Sequence, residues 1–167
     1  MIAAVTEVES DWGEEADWSA LVDRAMQAGL AVGSRSNRSD LSLEVSVLLT
    51  SDDEVRALNL RFRGKDKATN VLSFPMLPAE ELDHIPVGVE TLLGDIVLAH
   101  GICAAEAAAK GVAIADHVAH LLVHGLLHLL GHDHETGESD AEEMEDAERR
   151  ALASLGIADP YIAEVQT

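Results

Sequence analysis

The stretch Leu41-Ser42-Leu43-Glu44-Val45-Ser46-Val47-Leu48-Leu49, with Ser51-Asp52-Asp53-Glu54 close behind it, decides the class of fold. Apolar and polar residues alternate through its first part, the period of a strand with one buried face. Its second part reads as a helix start. Ser51 or Asp52 can cap the first backbone N–H groups, and the acids suit the positive end of the helix dipole. That helix continues through Val55, Leu58, Leu60 and Phe62. Toward the N-terminus, residues 33–39 read as a loop. Residues 14–32 carry apolar side chains at spacings of three and four, the mark of a helix with one buried face. Residues 2–8 alternate weakly, as an edge strand would.

Toward the C-terminus, Gly64 to Ala68 is a charged loop and Val71-Leu72-Ser73-Phe74 a short strand stopped by Pro75. Residues 76–92 are expected to be irregular, and Gly94-Asp95-Ile96-Val97-Leu98 is another strand. An alanine-rich helix over 102–110 breaks at Gly111. A long apolar helix follows from Ala115 to Leu130, ended by Gly131. The last helix spans Ser139 to Leu155, with Ser139 or Asp140 as cap, Glu142 and Glu143 in its first turn, and Arg149 and Arg150 near its end. The order β-α-β-α-β-β-α-α-α predicts an α+β fold, one small mixed sheet of roughly four strands covered by about five helices.

The chain has 167 residues, 47% of them hydrophobic, which suits a single domain spanning residues 1–167. A domain of that size buries about 70% of its unfolded surface and needs no metal or disulfide staple, so a bound metal would serve function. Cys103 is the only cysteine and stands in a small, apolar run. It is expected to be a buried hydrophobe, in keeping with a reducing cytoplasm. The N-terminus has no basic leader pattern and no long apolar run is present, so a soluble cytoplasmic chain is expected.

Thirty-one acids against 11 bases give a net charge of −20. That excludes a protein gripping nucleic acid with its whole surface. Yet Arg56, Arg61, Arg63, Lys65 and Lys67 supply five of the 11 bases within a dozen residues. A local basic strip on an acidic body remains compatible with a phosphate-bearing substrate.

Six of the eight histidines fall between His117 and His134. His124 and His128 are four apart on the long helix and so share one face, with Cβ atoms roughly 5–6 Å apart. Gly131 ends the helix and turns the chain, so His134 can swing back toward the pair. Histidines at this spacing are often mere core residues. Here leucines surround them, and buried imidazoles without partners would be costly, whereas one metal ion satisfies several at once. Three imidazoles leave one position of a tetrahedral zinc ion open to water, the pattern of a catalytic site. His120, one turn earlier, is a supporting group or an alternative ligand. Asp133 either holds the second ring nitrogen of a ligand or caps the loop. His132 is expected to be exposed. Where HExxH proteases carry a glutamate base this chain has Gly125, which weighs against a peptidase and is expected to keep the space beside the metal open.

Three blocks of sequence together resemble the YbeY family of bacterial rRNA-maturation endoribonucleases. They are His124-Gly125-x-x-His128-Leu129-x-Gly131-x-Asp133-His134, the run from Leu58-Asn59 through Phe62-Arg63-Gly64-Lys65-Asp66-Lys67-x-Thr69-Asn70-Val71-Leu72-Ser73-Phe74-Pro75, and Leu93-Gly94-Asp95-Ile96. Asp159-Pro160-Tyr161 agrees as well. The resemblance runs from about residue 41 to 163. It implies one metal, usually zinc, on His124, His128 and His134, and a functionally important arginine at Arg63. It also implies action on single-stranded rRNA, at the 3′ end of the small-subunit rRNA, and in ribosome quality control, with the small ribosomal subunit and the GTPase Era as partners. Arg63 would clamp the scissile phosphate, while Lys65 and Lys67 steer the RNA backbone. Two departures stand out: Ala68 where the family commonly has proline, and His132 where it commonly has tyrosine. The alternatives are a ribosome-assembly factor with a mainly structural metal, or another zinc hydrolase such as a peptidase.

Overall fold

The alternation at residues 41–49 becomes strand β2, Ser42–Thr50, with Leu43, Val45, Val47 and Leu49 turned into the core. A computed structural model describes residues 1–34, 36, 38, 40–133 and 136–161. β1 (Ile2–Val8) pairs parallel with β2 at one edge of the sheet. β4 (Glu90–Ala99) pairs parallel on the other side of β2, and β3 (Val71–Pro75) runs antiparallel to β4. The resulting mixed sheet has the order β1-β2-β4-β3. The parallel pairs require helical crossovers, which the chain supplies.

α1 (Trp18–Gly33) begins at Trp18 rather than Glu14, because Ser10–Trp12 forms a 3-10 turn and Asp17 is the cap, accepting from the Ala20 amide at 3.1 Å. α2 (Asp52–Arg63) is capped by Ser51, whose Oγ accepts from the Glu54 amide at 3.2 Å. It carries Arg61 and Arg63 in its last turn and closes on Gly64 in the left-handed region. α3 (His100–Lys110) and α4 (Ile114–Leu129) follow β4, and α5 (Glu138–Ser154) is the last helix. The element order and the α+β class are those expected.

Two local expectations, on residues 76–92 and on the cap of α5, are corrected. Residues 76–92 are not all irregular: Ala79–His84 is a 3-10 helix and β4 already starts at Glu90. The register shift of β2 against β4 lies at Glu44/Val45, opposite Gly94, which has a φ of 155° and where any Cβ would collide with the Phe74 carbonyl. Neither Ser139 nor Asp140 caps α5. Gly137 occupies that position without a side-chain bond, and the acids of the first turn are Glu138 and Asp140.

α1, α4 and α5 pack together on one face of the sheet around Leu122, Leu126, Leu129, Met26 and Leu152. α2 covers part of the other face over Val55, Leu72, Val97 and Ala99. Cys103 is fully buried, as expected, and burial, with Glu106 and Asp52 nearby, pushes its thiol up to about 12. Among the described residues no single helix is long and apolar enough to cross a membrane.

Candidate metal and phosphate cleft

Helix α4 presents His117, His120, His124 and His128 on successive turns of one face, at spacings of three and four. Adjacent rings along this stripe meet edge to face, with centroids 6.4, 6.5 and 4.6 Å apart. Each ring has at least one nitrogen placed by a partner. His117 Nε2 lies 2.9 Å from Glu106 Oε1, which also accepts from Asn70 Nδ2 at 3.0 Å. Burial lowers the His117 pKa, and its hydrogen bond to Glu106 only partly opposes this. Burial would raise the Glu106 carboxyl, but the bonds from His117 and Asn70 outweigh it and the net shift is downward.

His124 and His128 form the centre of the arrangement. His128 Nδ1 lies 3.1 Å from the His132 carbonyl, which can only accept, so that nitrogen carries the proton. His124 Nδ1 lies 3.0 Å from Glu148 Oε1. Burial would raise the Glu148 carboxyl. Bonds from His120 and His124, and then from Tyr161, overcome this and bring it down to about 2. With His120, His124 and the Tyr161 hydroxyl all on its two oxygens, Glu148 fits an accepting carboxylate, which assigns the His124 proton to Nδ1. These assignments leave an electron pair on each Nε2, and the two Nε2 atoms face one another at 3.1 Å. Two such pairs repel unless an electron-poor group, a proton or a cation, shares them. Neighbouring imidazoles on a tetrahedral zinc ion would stand about 3.3 Å apart at Zn–N distances of about 2.0–2.1 Å. The donor pair therefore fits a metal of this kind. His134, the expected third ligand, lies outside the described residues, and among those described no three ligating side chains converge.

A cleft of about 690 Å³ is lined by His124, His128 and Arg63, together with Asn70, Ser73 and Asp133. Arg63 reaches it from the end of α2. Its guanidinium donates to the Ser73 carbonyl at 3.3 Å and lies 5.9 Å from the centre of the Phe74 ring, while the residue stays exposed. Lys65 and Lys67 are exposed beyond this end and do not line the cleft. Asn59 Nδ2 holds the Lys67 carbonyl at 2.9 Å, and Arg56 pairs with Asp66 at 2.7 Å, so the basic strip is an organised turn.

Two expectations about the site fail. His132 is not exposed: it is 4% accessible, and its Nε2 bonds the Gly33 carbonyl at 2.8 Å, so it anchors the turn beneath His128 to the end of α1. Gly125 does not open space beside the ligands. A Cβ there would stand 3.0 Å from Ser73 Oγ and 3.1 Å from Ile96 Cγ2, so glycine lets α4 lie directly on β3 and β4. Asp133 lines the cleft, but the second nitrogens of His124 and His128 are held by Glu148 and the His132 carbonyl. His120 bonds Glu148 at 2.8 Å instead of facing His128. Glu148 itself was hidden in the sequence by an acidic run that reads as solvated surface. The signal was its place on the apolar stripe of α5, four residues after Met144 and four before Leu152.

The fold and the cleft together define a class: an α+β domain in which a helix of histidines and an arginine line one polar groove. A family model described as Endoribonuclease YbeY matches residues 6–156. Relatives named Endoribonuclease YbeY include one from Novosphingobium aromaticivorans, 52% identical over 98% of this chain and 99% of its own. Another, from Rhizorhabdus wittichii, is 51% identical over 96% of this chain and 97% of its own. The solution structure of TM1509 from Thermotoga maritima shares the fold, with a TM-score of 0.58, 23% identity, and coverage of 93% of this chain and 92% of that one. The chain belongs to the endoribonuclease YbeY family.

Proposed function

We propose that this chain is a zinc-dependent endoribonuclease that cleaves single-stranded ribosomal RNA, maturing the 3′ end of the small-subunit rRNA. His124, His128 and His134 would hold the metal. The observation that carries the reading is the shared cleft, lined by His124, His128 and Arg63, in which the two imidazole Nε2 atoms stand 3.1 Å apart, in a chain of this family.

Bound zinc would polarise a phosphate oxygen and bring the pKa of water to about 7. The chain's own residues supply the rest. Arg63 has five N–H donors in a planar fork. One is engaged by the Ser73 carbonyl and the group lies near the Phe74 ring, so the remaining donors are held toward the cleft, where a phosphate can take two at once. The His132 carbonyl and the Glu148 carboxylate keep the ligand rings oriented before substrate arrives. Lys65 and Lys67 extend the positive field outward from Arg63.

A chain with net charge −20 gains little from RNA as a polyanion, so delivery by the small ribosomal subunit, with Era as a further partner, accounts for substrate access. Arg63→Ala should abolish cleavage of a single-stranded rRNA fragment while leaving zinc content and thermal unfolding unchanged. Cleavage that survives the change would refute the assignment. A substrate with one 2′-deoxy position then separates attack by water from attack by the neighbouring 2′-hydroxyl, since only the latter needs that group.

A further inference from the structure

Glu148 is 1% exposed on a helix whose other acids mostly face solvent. Burying a carboxylate costs several kcal/mol unless its oxygens are fully engaged. Here they are. Oε1 accepts from His120 Nε2 at 2.8 Å and from His124 Nδ1 at 3.0 Å, and Oε2 accepts from the Tyr161 hydroxyl at 2.7 Å. An anion with three donors can only accept, so it dictates where each ring keeps its proton. For His124 that is Nδ1, which turns the Nε2 electron pair toward His128.

Tyr161 is fixed in turn. Its amide donates to Asp159 Oδ1 at 2.8 Å, Arg149 Nε holds Asp159 Oδ2 at 3.0 Å, and the Arg149 guanidinium lies 5.2 Å from the Tyr161 ring centre. Asp159-Pro160-Tyr161 is thus fastened to α5 on the same side as Glu148.

We infer that Glu148 is the positioning residue of the candidate metal site: it selects the metal-binding tautomer of His124 and ties that ring, through Tyr161, to the C-terminal loop. The inference rests on the reading of His124 as a metal ligand. A carboxylate behind a ligating histidine raises the basicity of the ring and fixes its orientation, and loss of such a partner typically costs about 10–100-fold in metal affinity.

Three measurements test it, on the full chain. Two-bond nitrogen–proton correlation spectra of the metal-free protein should show His124 protonated on Nδ1. Zinc competition against a chromophoric chelator should show affinity falling about 10–100-fold in Glu148→Leu, which keeps bulk and loses the acceptor. Glu148→Gln, which keeps an acceptor and loses charge, should recover part of the loss, and Tyr161→Phe should lose the least. Thermal unfolding of each metal-free variant separates lost folding from lost ligand orientation. The inference is overturned if wild-type His124 carries its proton on Nε2, or if folded Glu148→Leu binds zinc as wild type does. Should Glu148→Leu not fold, the wild-type tautomer and the Tyr161→Phe affinity decide, and an unchanged Tyr161→Phe affinity removes the link to the loop. If wild type itself takes up no zinc, the metal reading fails, while the tautomer still judges the role of Glu148.

Discussion

Helix α4 has two faces that are held in place by different physics. On one, Val118, Leu122, Leu126 and Leu129 are sealed in the core, and Leu126 and Leu127 nest against Gly29 and Gly33 of α1. On the other, His117, His120, His124 and His128 are positioned by single acceptors: Glu106, Glu148 and the His132 carbonyl. Apolar burial is non-directional and scales with area, so the leucine face fixes where the helix lies but not how any ring is turned. Hydrogen bonds to buried anions and carbonyls fix ring orientation and proton position, which area cannot. A chemically competent row of histidines needs both.

The contrast can be broken from either side. On the imidazole face, His128→Ala should remove bound zinc and reduce cleavage on the order of a thousandfold, as expected when several kcal/mol of metal assistance is lost. Zinc content by elemental analysis and initial rates on one RNA fragment measure it, and the fold should survive. On the leucine face, Leu126→Ala should cost about 2–5 kcal/mol of stability, read from denaturant unfolding, while the folded fraction keeps its zinc stoichiometry. Between the faces, Gly125→Ala forces a methyl against Ser73 and Ile96 and should cost about 1–3 kcal/mol by overpacking. Equal loss of zinc and stability in all three would erase the distinction drawn here.

The smallest effect is on pH dependence. The folded-state pKa values of both His117 and Glu106 lie below their ordinary values. For His117 the stabilising contribution is present above the unfolded value of about 6.5 and disappears as pH falls through the lower folded value. For Glu106 the same sign holds in the acid range. Stability should therefore decline as pH falls below about 6.5, and His117→Gln should flatten part of that decline in thermal midpoints. A slope unchanged by the substitution would place the pH sensitivity elsewhere.

The sequence carried most of the scaffold. Periodicity identified every strand and α-helix in order, because alternation over 42–50 and the three-four spacing in α1 and α4 directly record which face is buried. Boundaries slipped where local chemistry was subtle, as at Asp17, which caps α1, and at Gly137, which precedes α5 without a side-chain cap. At the site, the i, i+4 spacing predicted the meeting of His124 and His128, and the basic strip contained Arg63. The misreadings share one cause. The burial of His132, the packing of Gly125 and the role of Glu148 all depend on what another element brings: α1, the β3–β4 face and α4 respectively. A one-dimensional pattern reports a residue's own periodicity but not its visitor.

The bond from His132 to Gly33 closes a loop of 99 residues. During synthesis the ring that seats the turn beneath His128 emerges long after the helix end it grips, and β4, to which β2 must pair, also follows late. Contacts this distant in sequence are slow to form and cannot form on a partial chain. An incomplete nascent polypeptide therefore presents no finished pocket, and chemistry at this cleft is confined to molecules whose translation has passed the last histidines.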